Sequence, residues 1–208
     1  MRILWIIVLA SQVSWAQPTD KQRKIFTEGT ERLKQTKIHE RAPKVGERFP
    51  DLQVGPKKIS EWIKDRPLIL TFYRGGWCPY CIKQLKEMQA EKGQVAGAQI
   101  VAVAPESDVQ LQKTKSKNGL EFTLIPDKNN DIARQLGIAF QVDKAVAQEY
   151  QALGIDLSAS QGILPLPATF VIGRDGIVRY AFADADYTQR AQWRDVVKSV
   201  NGVMAPAN

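Results

Sequence analysis

Apolar and polar residues follow one another along the chain in the pattern of a strand, a helix and a second strand. Residues 68–73, Leu-Ile-Leu-Thr-Phe-Tyr, lie between Pro67 and a Gly-Gly pair and predict a buried strand. Residues 79–92 predict a helix that ends before Gly93, and residues 99–104 predict a second buried strand. This order is typical of a βαβ unit, in which parallel strands are joined by a right-handed crossover.

The same alternation continues toward the C-terminus. It predicts short helices over residues 59–65, 109–117, 131–136 and 142–153, a strand over 122–125 and a loop over 154–162. Residues 168–172 and 177–183 predict a β-hairpin around Gly-Arg-Asp-Gly, and residues 190–200 a last helix. The sequence therefore predicts an α/β fold, with a mostly parallel central sheet, an antiparallel edge hairpin and helices on both faces.

The N-terminal part divides into two further segments. In residues 1–16 a single cation, Arg2, precedes an apolar run and then small residues, which is the anatomy of a signal peptide. The run is shorter than the roughly 20 apolar residues that a membrane span requires, so no stable span is expected. Residues 19–41 predict one capped helix with sparse apolar positions. We expect a signal peptide (1–16), an N-terminal helical extension (17–44) and one domain (45–204), with a periplasmic or secreted location.

Composition narrows the possible functions. The 208 residues carry a net charge of +7, but glutamates alternate with the cations of residues 19–41 as on a solvated helix face, so nucleic acid is not an expected partner. Two cysteines and one histidine, His39, are too few for a zinc site of the usual kind, and no metal is expected. His39 is interpreted as a surface residue of the first helix.

Both cysteines lie where the first buried strand passes into a helix. Pro79 is favoured at the first helical position, which places Cys78 at the N-cap and Cys81 at the third helical residue. Free backbone N–H groups and the helix dipole favour a thiolate at the N-cap, and Arg74 adds a cation. We expect Cys78 at the open end to attack a disulfide and the more buried Cys81 to resolve it. A redox pair is favoured over a structural disulfide, half a zinc site or two inert thiols.

Three segments resemble a known family: FYRGGWCPYC, PDKNNDIARQLGI and PATFVIGRDGIVRYAF. Over about residues 45–200 the chain is similar to the peroxiredoxin-like branch of the alkyl hydroperoxide reductase and thiol-specific antioxidant (AhpC/TSA) family, which implies a thioredoxin-like fold. In the family motif Pro-x-x-x-Thr/Ser-x-x-Cys, this chain has Arg74 at the proline, Cys78 at the hydroxyl residue and Cys81 at the peroxidatic cysteine. The family's arginine falls on Pro167, and the buried acid of thioredoxins falls on Phe72.

The first hypothesis is therefore a thiol:disulfide oxidoreductase that cycles Cys78 and Cys81 on protein disulfides without a cofactor. The alternative is a thioredoxin-dependent peroxiredoxin that reduces hydrogen peroxide or organic hydroperoxides, with Cys81 peroxidatic and Cys78 resolving. The third hypothesis is a binding module, not an enzyme, in which the two cysteines serve only as a redox-controlled latch. Either enzyme needs electrons from elsewhere, and we expect a thioredoxin-like donor.

Other residues receive supporting or structural roles. The residues expected to support the site are Arg74, Trp77, Pro79, Tyr80 and Pro167, with Trp77 and Tyr80 shaping a docking surface. An X-Pro bond before a strand is a place where a cis peptide can be held, although most such bonds are trans. Turn, cap or helix-entry roles are assigned to Glu106, Asp127, Asp184, Asp186, Tyr187 and Arg190.

Overall fold

A computed structural model describes residues 18–204, and the predicted signal peptide lies outside the described residues. The α-helices in this part are α1 (Asp20–Gln35), α2 (Ile59–Trp62), α3 (Pro79–Ala90), α4 (Asp108–Asn118), α5 (Asp131–Gln135), α6 (Lys144–Ala152) and α7 (Trp193–Met204). The strands are β1 (Gln53–Val54), β2 (Lys57–Lys58), β3 (Leu68–Phe72), β4 (Gln99–Ala104), β5 (Thr123–Pro126), β6 (Ala139–Gln141), β7 (Ile163–Pro165), β8 (Ala168–Ile172) and β9 (Val178–Ala183).

Five strands form one mixed central sheet in the order β5-β4-β3-β8-β9. Strands β3, β4 and β5 are parallel, whereas β8 runs antiparallel to β3 and β9 antiparallel to β8. The predicted α/β fold, with parallel strands and an antiparallel edge hairpin, is confirmed. Two smaller antiparallel pairs, β1-β2 and β6-β7, lie outside this sheet.

The sheet is covered on both faces because the side chains of its central strand alternate between two cores. All five residues of β3 are buried. Leu70 and Phe72 belong to the core shared with α2 and α5, and Ile69 belongs to the core shared with α3 and α7. The strand therefore reads as one continuous apolar run, as expected for a sheet buried on both sides. The carboxyl end of β3 leads directly into the loop that carries the cysteines.

The N-terminal helix ends earlier than predicted. Residues 19–41 are not one helix, since α1 ends at Gln35 and Lys37 adopts a left-handed backbone with φ 53°, which interrupts the helix before a 3₁₀ turn at Ile38–Arg41. Thr19 is the N-cap of α1, because its side chain accepts a hydrogen bond from the N–H of Gln22. Helix α1 packs on α6, where the rings of Phe26 and Tyr150 stack 5.3 Å apart.

Some short strands and helix boundaries also differ from the predictions. The short strands β1, β2, β6 and β7 are not among the predicted elements, because two or three residues are too few to show a period. The last helix begins at Trp193 instead of residue 190, since a turn-rich loop occupies residues 184–192. Within residues 18–204 no helix is both long and apolar enough to cross a bilayer.

Candidate active site

The loop between β3 and α3 places both cysteines at a helix start. Cys78 is the N-cap of α3 with extended backbone, Pro79 is the first helical residue, and Cys81 is the third, as predicted. The loop needs two glycines. Gly75 has φ 145°, a region that favours glycine, and a Cβ on Gly76 would lie 2.1 Å from the hydroxyl oxygen of Thr114. At Gly76 the loop therefore lies so close to α4 that there is no room for a side chain.

Both cysteine side chains are buried, with 1% of Cys78 and none of Cys81 exposed. The prediction that Cys78 lies at an open end is wrong, because aromatic residues from distant segments cover the helix start. Trp77 and Tyr150 pack with their ring centroids 5.3 Å apart. A cleft of about 420 Å³ reaches Cys78 but does not include Cys81 among its lining residues. Access to the pair therefore runs past Cys78.

Arg190 contacts both sulfur atoms. Its Nη2 donates to Cys81 Sγ at 3.2 Å and lies 3.9 Å from Cys78 Sγ. Its Nη1 donates to the carbonyl oxygens of Tyr187 and Gln189 at 2.6 and 2.5 Å, which fixes the guanidinium over the cysteines. The assignment of Arg190 to a mere helix entry is therefore wrong.

The loop that presents Arg190 is built from aspartate turns. Asp184 accepts from the N–H of Asp186, and Asp186 accepts from the N–H and hydroxyl of Thr188. Asp186 also pairs with Lys34 of α1 at 3.3 Å. The turn roles predicted for the two aspartates are confirmed, and these turns shape the loop that leads to Arg190 at the site. One feature of the sequence indicated that an arginine from elsewhere could be needed at this site. The position at which the family has its arginine is Pro167 in this chain.

Arg74 is buried beside the cysteines, with 3% of its surface exposed. Its guanidinium carbon lies 4.9 Å from the ring centroid of Trp77, 5.2 Å from that of Tyr150 and 4.6 Å from that of Tyr187. Its Nη2 donates to the Tyr150 hydroxyl. Aromatic faces attract a guanidinium, so the three rings stabilise the buried Arg74 side chain in place of water.

The two thiols have opposite pKa shifts. A hydrogen bond from the Cys81 thiol lowers the pKa of Cys78 to about 6; burial opposes this shift, and the charges of Arg74 and Arg190 support it. Burial raises the pKa of Cys81 well above its usual value of 9.0, and the neighbouring Cys78 raises it further. The backbone N–H of Cys81 also lowers the pKa of Cys78. The thiolate of the pair is carried by Cys78.

Two carboxylates near the strand ends have structural contacts. Glu106 accepts from the N–H of Gly76 at 2.8 Å and from the hydroxyl of Tyr73 at 3.3 Å, and burial raises its pKa. It therefore supports the cysteine loop from β4. Asp127 accepts from two N–H groups at the start of α5, both at 3.1 Å, which confirms its cap role.

The remaining predicted site residues lie at different depths. Pro79 and Tyr80 are exposed at the start of α3, and Tyr80 packs edge-on against Tyr187 with centroids 5.8 Å apart. Pro167 is buried, and no peptide bond in residues 18–204 is cis. His39 lies in the 3₁₀ turn after α1, half-buried. The described residues contain no cluster of three or more histidine, cysteine or acidic side chains placed to hold a metal ion.

The fold and the site together define a thiol protein of the thioredoxin-like class with a CxxC pair at a helix start. The model of the AhpC/TSA family matches residues 38–181, and the chain belongs to this family. Peroxiredoxin Q, chloroplastic, of Oryza sativa subsp. japonica is 27% identical over 121 residues, which are 57% of this chain and 48% of that protein. Peroxiredoxin Bcp of Bacillus subtilis (strain 168) is 26% identical over 139 residues, 64% of this chain and 80% of the relative.

Solved structures share the fold. Peroxidoxin BcpB from Mycobacterium tuberculosis superimposes with a TM-score of 0.59 and 18% identity, covering 80% of this chain and 99% of that one. A peroxiredoxin-like protein from Aquifex aeolicus gives a TM-score of 0.62 and 18% identity, covering 78% and 88%. The chain spans about half the length of the rice relatives it matches.

Proposed function

We propose that the protein is a thiol peroxidase that reduces hydrogen peroxide or organic hydroperoxides with the Cys78–Cys81 pair. The observation that carries this proposal is the arginine-contacted thiol pair, with Arg190 3.2 Å from one sulfur and 3.9 Å from the other, in a chain of the AhpC/TSA family. Family membership favours this function over general thiol:disulfide exchange, which was our first hypothesis. The relatives named peroxiredoxin support the same choice.

We assign the attack to Cys78, although the family motif gives the peroxidatic position to Cys81. Two observations support this assignment. The pKa of Cys78 is lowered whereas that of Cys81 is raised, and the cleft reaches Cys78. The thiolate of Cys78 attacks the terminal oxygen of the hydroperoxide, the O–O bond breaks, and the departing alkoxide takes a proton to become an alcohol or water. The sulfur becomes a sulfenic acid.

Arg190 supplies the positive charge that this step requires. Negative charge moves from the sulfur to the departing oxygen, and a guanidinium that already contacts both sulfurs stabilises it without reorganising. In the family an arginine stands where this chain has Pro167. We propose that Arg190, from the loop that follows β9 at the same end of the hairpin as Pro167, replaces it.

The second half of the cycle is disulfide formation and reduction. The Cys81 thiol attacks the sulfenic sulfur of Cys78, water leaves, and a Cys78–Cys81 disulfide forms. A thioredoxin-like dithiol then reduces this disulfide by exchange and becomes oxidised itself.

We propose such a donor as the partner. We also propose export to the periplasm or outside the cell, which the signal-peptide pattern of residues 1–16 supports. Fractionation of cells that express the full chain tests the location.

Thiol:disulfide exchange remains a second candidate function, because an N-cap cysteine with a lowered pKa is also the attacking group of that chemistry. It predicts that Cys81→Ser protein accumulates mixed disulfides with protein substrates through Cys78. Peroxidase chemistry predicts instead a sulfenic acid in the same variant.

The test uses the reduced protein, the two single serine variants and one equivalent of hydroperoxide. Dimedone labels sulfenic acid, and mass spectrometry locates the label. We expect stoichiometric label on Cys78 in Cys81→Ser and none on Cys81 in Cys78→Ser. Label on Cys81 alone would reverse the assigned roles, and absence of label with no peroxide consumed by the unmodified protein would contradict the proposed function.

A further inference from the structure

Arg74 is a buried cation whose surroundings are aromatic rings and one hydroxyl, with no carboxylate paired to it among the described residues. Only 3% of its surface is exposed, and the Tyr150 hydroxyl is the acceptor it contacts. Its Nε atom is buried without a hydrogen-bond partner among the described residues. No described carboxylate forms an ion pair with it. A guanidinium carries five N–H donors, so most of its capacity for binding an anion is unused.

The charges around the thiol pair do not balance. Among the side chains that contact the two sulfurs or line the cleft, Arg74 and Arg190 contribute two positive charges and the thiolate of Cys78 contributes one negative charge. The residues that line the cleft at Cys78 include Arg74 and no acidic side chain. One positive charge therefore remains when the site is ready to react. Burying an unpaired charge is expensive, and an anionic ligand removes that cost.

The rest of the cleft is apolar. Its walls are formed by Phe26, Trp77, Tyr80, Leu153 and Ile155, among others, and its volume is about 420 Å³. A second cavity of about 200 Å³ between α1 and α6 lies on the other side of Arg74. Arg74 thus lines both the cleft and the second cavity. A ligand that enters the cleft beside Cys78 can therefore reach its guanidinium.

We propose that Arg74 binds a carboxylate of the substrate, and that the preferred substrates are hydroperoxides with an apolar or aromatic body and one acidic group. This inference rests on the proposed peroxidase function and adds the substrate class. The body lies against the aromatic walls of the cleft, the carboxylate pairs with Arg74, and the peroxide group meets Cys78. Arg74 is then a specificity-determining residue in addition to stabilising the thiolate.

A role in stabilising the thiolate alone makes a different prediction. In that case the loss of Arg74 slows the reaction with every hydroperoxide by the same factor, because the nucleophile is the same. A carboxylate-binding role changes the ratio between an acidic substrate and its neutral ester. This ratio separates the two roles even if both substrates react more slowly.

The experiment compares cumene hydroperoxides that carry a meta or para ring carboxylate with their methyl esters. For at least one isomer we expect kcat/KM of the acid to exceed that of the ester by about 10-fold or more, the size of a charge-assisted hydrogen bond. The ratio should fall to about one in Arg74→Met and be largely retained in Arg74→Lys, which keeps the charge. Equal acid-to-ester ratios in the unmodified protein and Arg74→Met would overturn the inference.

A binding measurement with an unreactive variant tests this inference separately from the proposed peroxidase function. Calorimetry with Cys78→Ser protein should show binding of 4-isopropylbenzoate, weaker binding of its methyl ester, and loss of the difference when Arg74→Met is added. If no hydroperoxide is consumed, the peroxidase proposal fails while this binding still decides the role of Arg74. If Arg74→Met does not fold, competitive inhibition of the unmodified enzyme by the acid and not by the ester supports the inference, and equal inhibition contradicts it.

Discussion

Replacing Arg190 with methionine should raise the pKa of Cys78. The guanidinium lies 3.9 Å from Cys78 Sγ, and its charge is one of the causes that lower this pKa to about 6. An opposite charge at 4–6 Å commonly shifts a pKa by about one unit or more, so we expect a value of about 7 or above in the variant. At pH 6.5 the thiolate fraction of Cys78 then falls from about three-quarters to about one-quarter.

Alkylation by iodoacetamide, followed by mass spectrometry for each cysteine, measures this change. Cys78 of Arg190→Met should react about three-fold more slowly at pH 6.5 and at a similar rate above pH 9. Arg190→Lys keeps the charge and should shift the profile less. Arg194→Met removes an arginine whose side chain is 85% exposed and should leave it unchanged. An alkylation profile of Arg190→Met that coincides with that of the unmodified protein would refute the role given to this arginine.

Three further predictions concern the support of the site. Gly76→Ala should cost about 1–3 kcal/mol in urea unfolding, since the added Cβ meets a hydroxyl oxygen at 2.1 Å, whereas Gly93→Ala, where nothing lies within 4 Å, should cost far less; equal costs would contradict this packing. Burial raises the pKa of Glu106 above 4.5, so its protonated form favours the fold, and stability should fall as pH rises from about 4 through the raised value. Glu106→Gln should flatten that part of the urea midpoint profile, and an unchanged slope would assign the pH dependence elsewhere. Phe26→Ala should cost about 3–5 kcal/mol and speed alkylation of Cys78, because the ring stacks on Tyr150 over the cleft; destabilisation with unchanged alkylation would show that α1 does not control access.

Local signals were sufficient for the placement of the cysteines. An apolar run, two glycines and Pro79 are enough to put Cys78 at the N-cap and Cys81 one turn inward, since strand ends and helix starts are determined by neighbouring residues. The parallel strands and the edge hairpin follow from the same short-range pattern.

The contacts that set reactivity come from distant parts of the chain and could not be predicted locally. Arg190 lies 112 residues after Cys78, and its position depends on aspartate turns that also look like an ordinary helix entry. Tyr150 and Tyr187 cover the helix start from two further segments. Burial of Cys78 and the aromatic surroundings of Arg74 therefore became evident only from the folded arrangement.

The central claim, that this thiol pair reduces hydroperoxides, is tested most directly by the rate of a single turnover. Trp77 lies beside Cys78 in the cleft, so its fluorescence is a suitable reporter when reduced protein is mixed with hydroperoxide in a stopped-flow instrument. The account predicts a second-order rate constant far above that of free cysteine at pH 7, abolished by Cys78→Ser and followed by a slower phase of disulfide formation that Cys81→Ser removes. A rate constant equal to that of free cysteine would contradict it.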